Sequence, residues 1–278
     1  GHRLQATGYQ QILYHVCGPR LGVVLDACTA AFLFSGLSIM LAAAATIGRD
    51  FFGLPYAAGL AVMTVLLLLT LIGGIRGIAS ANTLVIPVLI FCSVGISLYS
   101  FFHHGVQTLP SLVTPPDPLS YGFIPAGLSY LSYNMVLGSS ILAPLGNATS
   151  DKIVRRAGGQ LGGFLLTLLA LWLTVIILIH YPQVVNCEVP MLYIAQTQNW
   201  WCYLLYAAVL LMAIYTTAIA NLYGATEKLA GISRWPSRRC ALIVTAASLA
   251  FTNIGFAALI RMIYPLFGFL SLYFTCRL

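Results

Sequence analysis

Eight long apolar runs divide the chain, at approximately 21–47, 54–73, 80–102, 123–146, 158–181, 201–224, 239–259 and 260–276. Polar and charged residues gather in the short segments between them. A spanning helix needs about 20 mainly apolar residues. Most runs reach that length; the last two are closely spaced and the eighth is weak. The runs are too long and too evenly apolar for barrel strands, and hydrocarbon tolerates only helices or closed barrels. The pattern therefore predicts an all-α integral membrane protein with about eight transmembrane helices in a single transmembrane domain, 1–278. Residues 1–20 read as a short polar segment with an amphipathic stretch from Tyr9 to Val16. The segment from Asn186 to Trp200 has the pattern of a short helix at the outer surface.

Composition sharpens this. Hydrophobic residues make up 60% of the chain and charged residues only 7%. Soluble domains carry about 25% charged residues. The expected partner is the lipid bilayer. The net charge of +7 does not point to nucleic acid, because the basic residues are scattered between apolar runs. Their distribution instead sets an orientation. With the N-terminus in the cytoplasm, Arg3, Arg20, Arg76, Lys152, Arg155, Arg156, Lys228, Arg234, Arg238, Arg239 and Arg277 fall inside, and only Arg49 and Arg261 outside. Both termini are then cytoplasmic. The seven cysteines lack paired metal-ligand spacing and mostly read as small hydrophobes. A Cys187–Cys202 disulfide on the outer side is the one pairing the sequence leaves open.

Candidate chemistry lies where the apolar pattern breaks. Tyr130, Ser132, Tyr133, Asn134, Gly138, Ser139 and Ser140 are concentrated in the middle of the fourth run. An unpaired amide in hydrocarbon is costly. The cluster therefore predicts an interrupted helix exposing backbone groups to a ligand, or else a polar helix–helix contact. In the sixth run Thr216 and Thr217 follow Ala213 by three and four residues, so their hydroxyls can converge near its carbonyl. Three neutral oxygens make a partial shell for a hard cation; alternatively both threonines bond back to their own helix. Small residues near the end of the first run, Ser35, Gly36, Ser38 and Ala42 to Ala45, read as helix packing. So do Gly158, Gly159, Gly162 and Gly163. Asp26 is the only acid within a span, a functional candidate that could also pair with a cytoplasmic Arg. No phosphate loop and no reactive side-chain triad is present in the spans, which argues against an enzyme.

The stretches SGLSIMLAAAAT, SANTLVIPVLIF, SYLSYNMVLGSSILAPLG, CEVPMLYIA and AIYTTAIANLYG carry a resemblance. With them the chain resembles the YkvI-like membrane proteins, a bacterial branch of the amino acid–polyamine–organocation superfamily with the LeuT-type inverted-repeat fold. The resemblance implies that the eight runs are helices three to ten of that fold, with its first two helices absent from a chain that begins at Gly1. It implies a multi-pass protein of the bacterial inner cell membrane. It also implies that Ala213, Thr216 and Thr217 bind Na⁺, as the corresponding carbonyl and hydroxyls do in sodium-coupled members.

The expected function is secondary active transport of a small polar solute, an amino acid or related compound, coupled to Na⁺ by alternating access. No cofactor is expected beyond Na⁺ as coupling ion. Tyr130, Tyr133 and Asn134 are the expected solute contacts, with Ser35 and Ser38 as weaker candidates, and 186–199 as an outer lid. The alternatives are a non-transporting sensor or structural membrane protein that keeps the fold, and a membrane-embedded enzyme. The oligomeric state is not legible in the sequence.

Overall fold

The computed structural model describes residues 9–73, 76–104, 122–148 and 151–277. These residues form ten helices and, among the described residues, no strand. They are α1 (Tyr9–Phe52), α2 (Tyr56–Gly73), α3 (Arg76–His104), α4 (Phe123–Ala148), α5 (Lys152–Ile179), α6 (Tyr181–Val184), α7 (Pro190–Gln198), α8 (Trp200–Ser233), α9 (Ser237–Thr252) and α10 (Phe256–Arg277). The fold is all-α. Eight helices, α1 to α5 and α8 to α10, carry the eight apolar runs, with the break between the last two at 253–255, inside the run expected at 239–259. Among the described residues, Cys17–Phe52, Val85–His103, Lys152–Ile179 and Trp200–Ser233 are each long and apolar enough to cross a bilayer. The pair α9 and α10, taken together across their break, adds a fifth.

Local chemistry explains the boundaries. α1 contains a kink at Gly18, whose φ of 75° is open to glycine at little cost, and Pro19 follows it. The kink separates the amphipathic start from the apolar span. α8 is capped at its start by Asn199, whose side chain accepts from the Trp201 and Cys202 N–H groups at 2.7 and 2.9 Å. It ends at Arg234, left-handed at φ 58°, whose N–H donates to the Ala230 carbonyl at 2.9 Å. Pro190 opens α7 at a position where its missing N–H costs nothing.

The chain falls into two compact units. Unit 1 holds residues 1–35, 115–163 and 258–278; unit 2 holds 36–114 and 164–257. In unit 2, α8 packs against α2, α3, α7 and α9. Ala42 to Ala45 are buried, and α2 comes so close that a Cβ added to Gly59 would stand 3.0 Å from the Ala45 Cα. The small residues of the first run thus serve packing. Met191, Leu192, Ile194 and Ala195 of α7 are buried, so the short helix is seated firmly. In unit 1, α10 meets α4 where Gly268 faces Ser129.

The outer surface is apolar. Leu161, Phe164, Leu165, Leu168 and Leu171 of α5 are each more than half exposed. Contiguous apolar surface on this scale is costly in water and costless in hydrocarbon. The glycines at 158, 159, 162 and 163 correct an expectation: a Cβ on any of them would meet open space among the described residues. They lie on the exposed side of α5 with their leucine neighbours. Cys187 and Cys202 are not bridged.

Candidate functional site

The polar residues of the apolar helices are satisfied mainly by their own backbone. On α4, the Ser132 hydroxyl donates to the Leu128 carbonyl at 2.6 Å, and the Asn134 amide donates to the Tyr130 carbonyl at 2.8 Å. This corrects the predicted interruption: α4 is helical from Phe123 to Ala148, through Gly138, Ser139 and Ser140. At Ser132 and Asn134 the physical reason lies in those back-bonds. A polar side chain that reaches its own i−4 carbonyl no longer requires the helix to open. The side chains at 136–150 lie outside the described residues, as does most of the proline-rich loop 103–120.

Of the expected solute contacts on α4, Tyr133 is the best enclosed, 8% exposed. Its ring centroid lies 4.9 Å from Tyr264, 5.5 Å from Tyr130 and 5.8 Å from Phe32. Phe32 in turn meets Phe267 edge-on at 4.9 Å. Such offset and edge-to-face pairs are favourable beyond the area they bury. Beside this cluster, inside unit 1, a small cavity is lined by Cys28, Thr29, Phe32, Tyr133, Phe267 and Ser271. It has room for about one water. The buried polar residues Asp26, Thr29, Ser129, Ser132 and Ser271 belong to the same unit. Tyr130 and Asn134 are exposed. Ser35 is half-buried in unit 1, and Ser38 is fully buried in unit 2.

Phe32 and Tyr264 escaped the sequence reading. Each sits alone among apolar residues, and only the fold brings it to Tyr133. One signal was available: Asp26, Thr29 and Phe32 recur at helical spacing on one side of α1.

The expected cation ligands lie at the middle of α8, a helix of 34 residues. The Thr216 hydroxyl donates to the Ala213 carbonyl at 3.0 Å, and the Thr217 hydroxyl donates to the same oxygen at 2.8 Å. Three oxygens therefore converge. Thr216 is buried and Thr217 is exposed. With both protons placed on Ala213, the lone pairs of both hydroxyls are free to accept. The Ala213 oxygen holds the protons and is not itself the open ligand. Both threonines thus bond back to their own helix, the alternative the spacing also allows, which takes Ala213 out of the expected ligand set and leaves the two hydroxyl oxygens as acceptors on one helical turn. Next to it, the Tyr215 hydroxyl hydrogen-bonds Thr70 of α2, and the Thr70 hydroxyl donates to Leu66 at 2.8 Å.

At the end of unit 2 where α1, α2 and α7 begin or end, Thr46 donates to the Glu188 carboxylate at 3.2 Å. Arg49 pairs with Asp50 at 2.6 Å and lies 5.8 Å from the Tyr56 ring centroid. His180 is buried with its Nε2 3.2 Å from the Ser100 hydroxyl and its Nδ1 3.0 Å from the Ile176 carbonyl. Among the described residues no group of three or more His, Cys, Asp or Glu side chains forms a metal site.

No protein-family model matches the chain, and no solved structure does. Two proteins of Bacillus subtilis (strain 168) are similar. One is described as uncharacterized membrane protein YkvI: it is 26% identical over 272 residues, spanning 98% of this chain and 77% of the relative. The other, described as uncharacterized protein YyaD, is 25% identical over 273 residues, 98% of this chain and 78% of the relative. The chain is therefore a multi-helical membrane protein, similar over nearly its whole length to YkvI.

Proposed function

We propose that the chain is a secondary active transporter of a small polar solute, coupled to Na⁺. The observation that carries this reading is the convergence of the Thr216 and Thr217 hydroxyls on Ala213 at the centre of an apolar helix. Hydroxyl oxygens with their protons parked elsewhere suit a hard monovalent cation, which prefers neutral oxygen ligands. The solute contacts are Tyr133, with Tyr130 and Asn134 at its margin. Tyr133 offers an enclosed ring and a hydroxyl, which suits an amino acid or related compound with an apolar part. The host is the bacterial inner membrane, with both termini cytoplasmic, in keeping with the distribution of Lys and Arg. Ser35, half-buried in the same unit as Tyr133, is a secondary contact.

The unbroken α4 favours a second reading, a membrane sensor or structural protein that keeps the fold without transporting. Uptake into proteoliposomes separates the two. A panel of small amino acids and amines is offered under an inward Na⁺ or K⁺ gradient. The transporter reading predicts uptake of at least one solute that requires Na⁺. Absence of uptake for every solute under both gradients favours the sensor.

A further inference from the structure

The turn between α8 and α9 is both basic and apolar. Between residues 227 and 239 it carries Lys228, Arg234, Arg238 and Arg239 against the single acid Glu227. Among the described residues, Arg234, Arg238 and Arg239 form no ion pair and are exposed. Beside them Trp235 and Leu242 are more than half exposed, and Ile243 nearly so. Trp235, Arg239, Leu242 and Ile243 line one open groove of about 290 Å³. Arg239, Leu242 and Ile243 share a helix face, being three and four residues apart. The turn is held in shape: the Trp235 N–H donates to the Ser233 hydroxyl at 3.3 Å, and that hydroxyl donates to Leu229 at 2.7 Å. Pro236 gives α9 no side-chain cap.

We infer that this groove binds an acidic phospholipid, with the phosphate on Arg239 and its neighbours and an acyl chain along Leu242 and Ile243. The dimensions agree. Arg239 and Ile243 are separated by about 6 Å along the helix axis, and the headgroup region is about 5–7 Å deep on each side of the hydrocarbon. One end of the groove thus meets phosphate while the other meets acyl chain. Trp235 is of the type that collects at that boundary. Charge selects the lipid: three unpaired guanidinium groups favour an anionic headgroup over a zwitterionic one. A free phosphate would leave the apolar wall unused. The inference rests on the bilayer placement and is independent of transport.

The test is thermal unfolding of the purified protein in detergent, titrated with dioleoylphosphatidylglycerol, dioleoylphosphatidylcholine or glycerol phosphate. Phosphatidylglycerol should stabilise and the other two should not. Arg239→Gln should weaken the phosphatidylglycerol response about fivefold, the loss of one basic contact near the surface. Arg239→Lys should retain most of it, and Arg156→Gln, the same charge change elsewhere, should leave it intact. An equal response to phosphatidylcholine or glycerol phosphate, or equal losses in Arg239→Gln and Arg156→Gln, would overturn the site.

Discussion

Gly268 of α10 lies against Ser129 of α4 so closely that a Cβ added to it would stand 2.7 Å from the Ser129 carbonyl oxygen. Backbone, unlike a flexible side-chain tip, cannot swing aside. Gly268→Ala must therefore push the two helices apart and disturb the cluster around Tyr133. Overpacking of this kind costs about 1–3 kcal/mol. Thermal unfolding in detergent should show a lowered midpoint. Adding Ser129→Ala should restore little of it, since the carbonyl remains.

Tyr133 separates packing from recognition. Tyr133→Ala removes a buried ring that contacts Phe32 and Tyr264 and should cost about 3–5 kcal/mol, as for other buried aromatics. Tyr133→Phe keeps the ring and should unfold within about 1 kcal/mol of the parent. If the hydroxyl contacts the solute, Tyr133→Phe should still lower solute affinity several-fold in the uptake assay. Full retention of uptake would remove Tyr133 from the solute contacts.

The contact between Thr46 and Glu188 joins residues 142 apart in sequence and holds the segment before α7 to α1. Hydrogen bonds to charged groups contribute about 1.5–3 kcal/mol. Thr46→Val should lower stability by an amount in that range. Glu188→Gln keeps an acceptor and should cost less. Proteolysis between α6 and α7 should quicken in Thr46→Val, since the segment loses its tether.

Cys187, beside this contact, reports the local field. Burial first, and the nearby Asp50 carboxylate second, push its thiol above the ordinary thiol range. A raised value leaves less thiolate at any pH below it, so labelling by a maleimide at pH 8 should be slower than for an ordinary exposed thiol. The rate should climb with pH through a midpoint above that of an ordinary thiol. Asp50→Asn should speed labelling at pH 8. A variant retaining Cys187 as its sole cysteine isolates the signal.

Much of the fold was legible because lipid imposes length and apolarity on every crossing segment. Eight helices carry the eight runs, but among the described residues only four, or five with α9 and α10 counted as one span, are long and apolar enough to cross, and the short helix expected in 186–200 is α7. The kink at Gly18 falls where the polar N-terminal segment meets the first run. Sequence was less informative where one residue type serves two ends. A polar cluster around Gly138 predicts either an opened helix or a polar helix contact, yet Ser132 and Asn134 each find a carbonyl four residues back and α4 stays closed. The small-xxx-small spacing from Gly158 to Gly163 predicts a packing seam, yet spacing alone does not say which face has a partner. Phe32 and Tyr264 became visible only through long-range packing around Tyr133. At Ala213, Thr216 and Thr217 the spacing predicted the convergence of oxygens. Back-bonding, the competing reading, produces the same geometry, so only an ion can separate them.

That separation is a measurement of ²²Na⁺ binding to the purified protein as its gene encodes it, with excess K⁺ present to suppress non-specific association. The account predicts saturable binding that unlabelled Na⁺ displaces and K⁺ does not. It also predicts a loss of at least tenfold, about 1.4 kcal/mol, in the double variant Thr216→Val, Thr217→Val. Absence of saturable binding, or binding unchanged in the double variant, would contradict a cation site at the centre of α8.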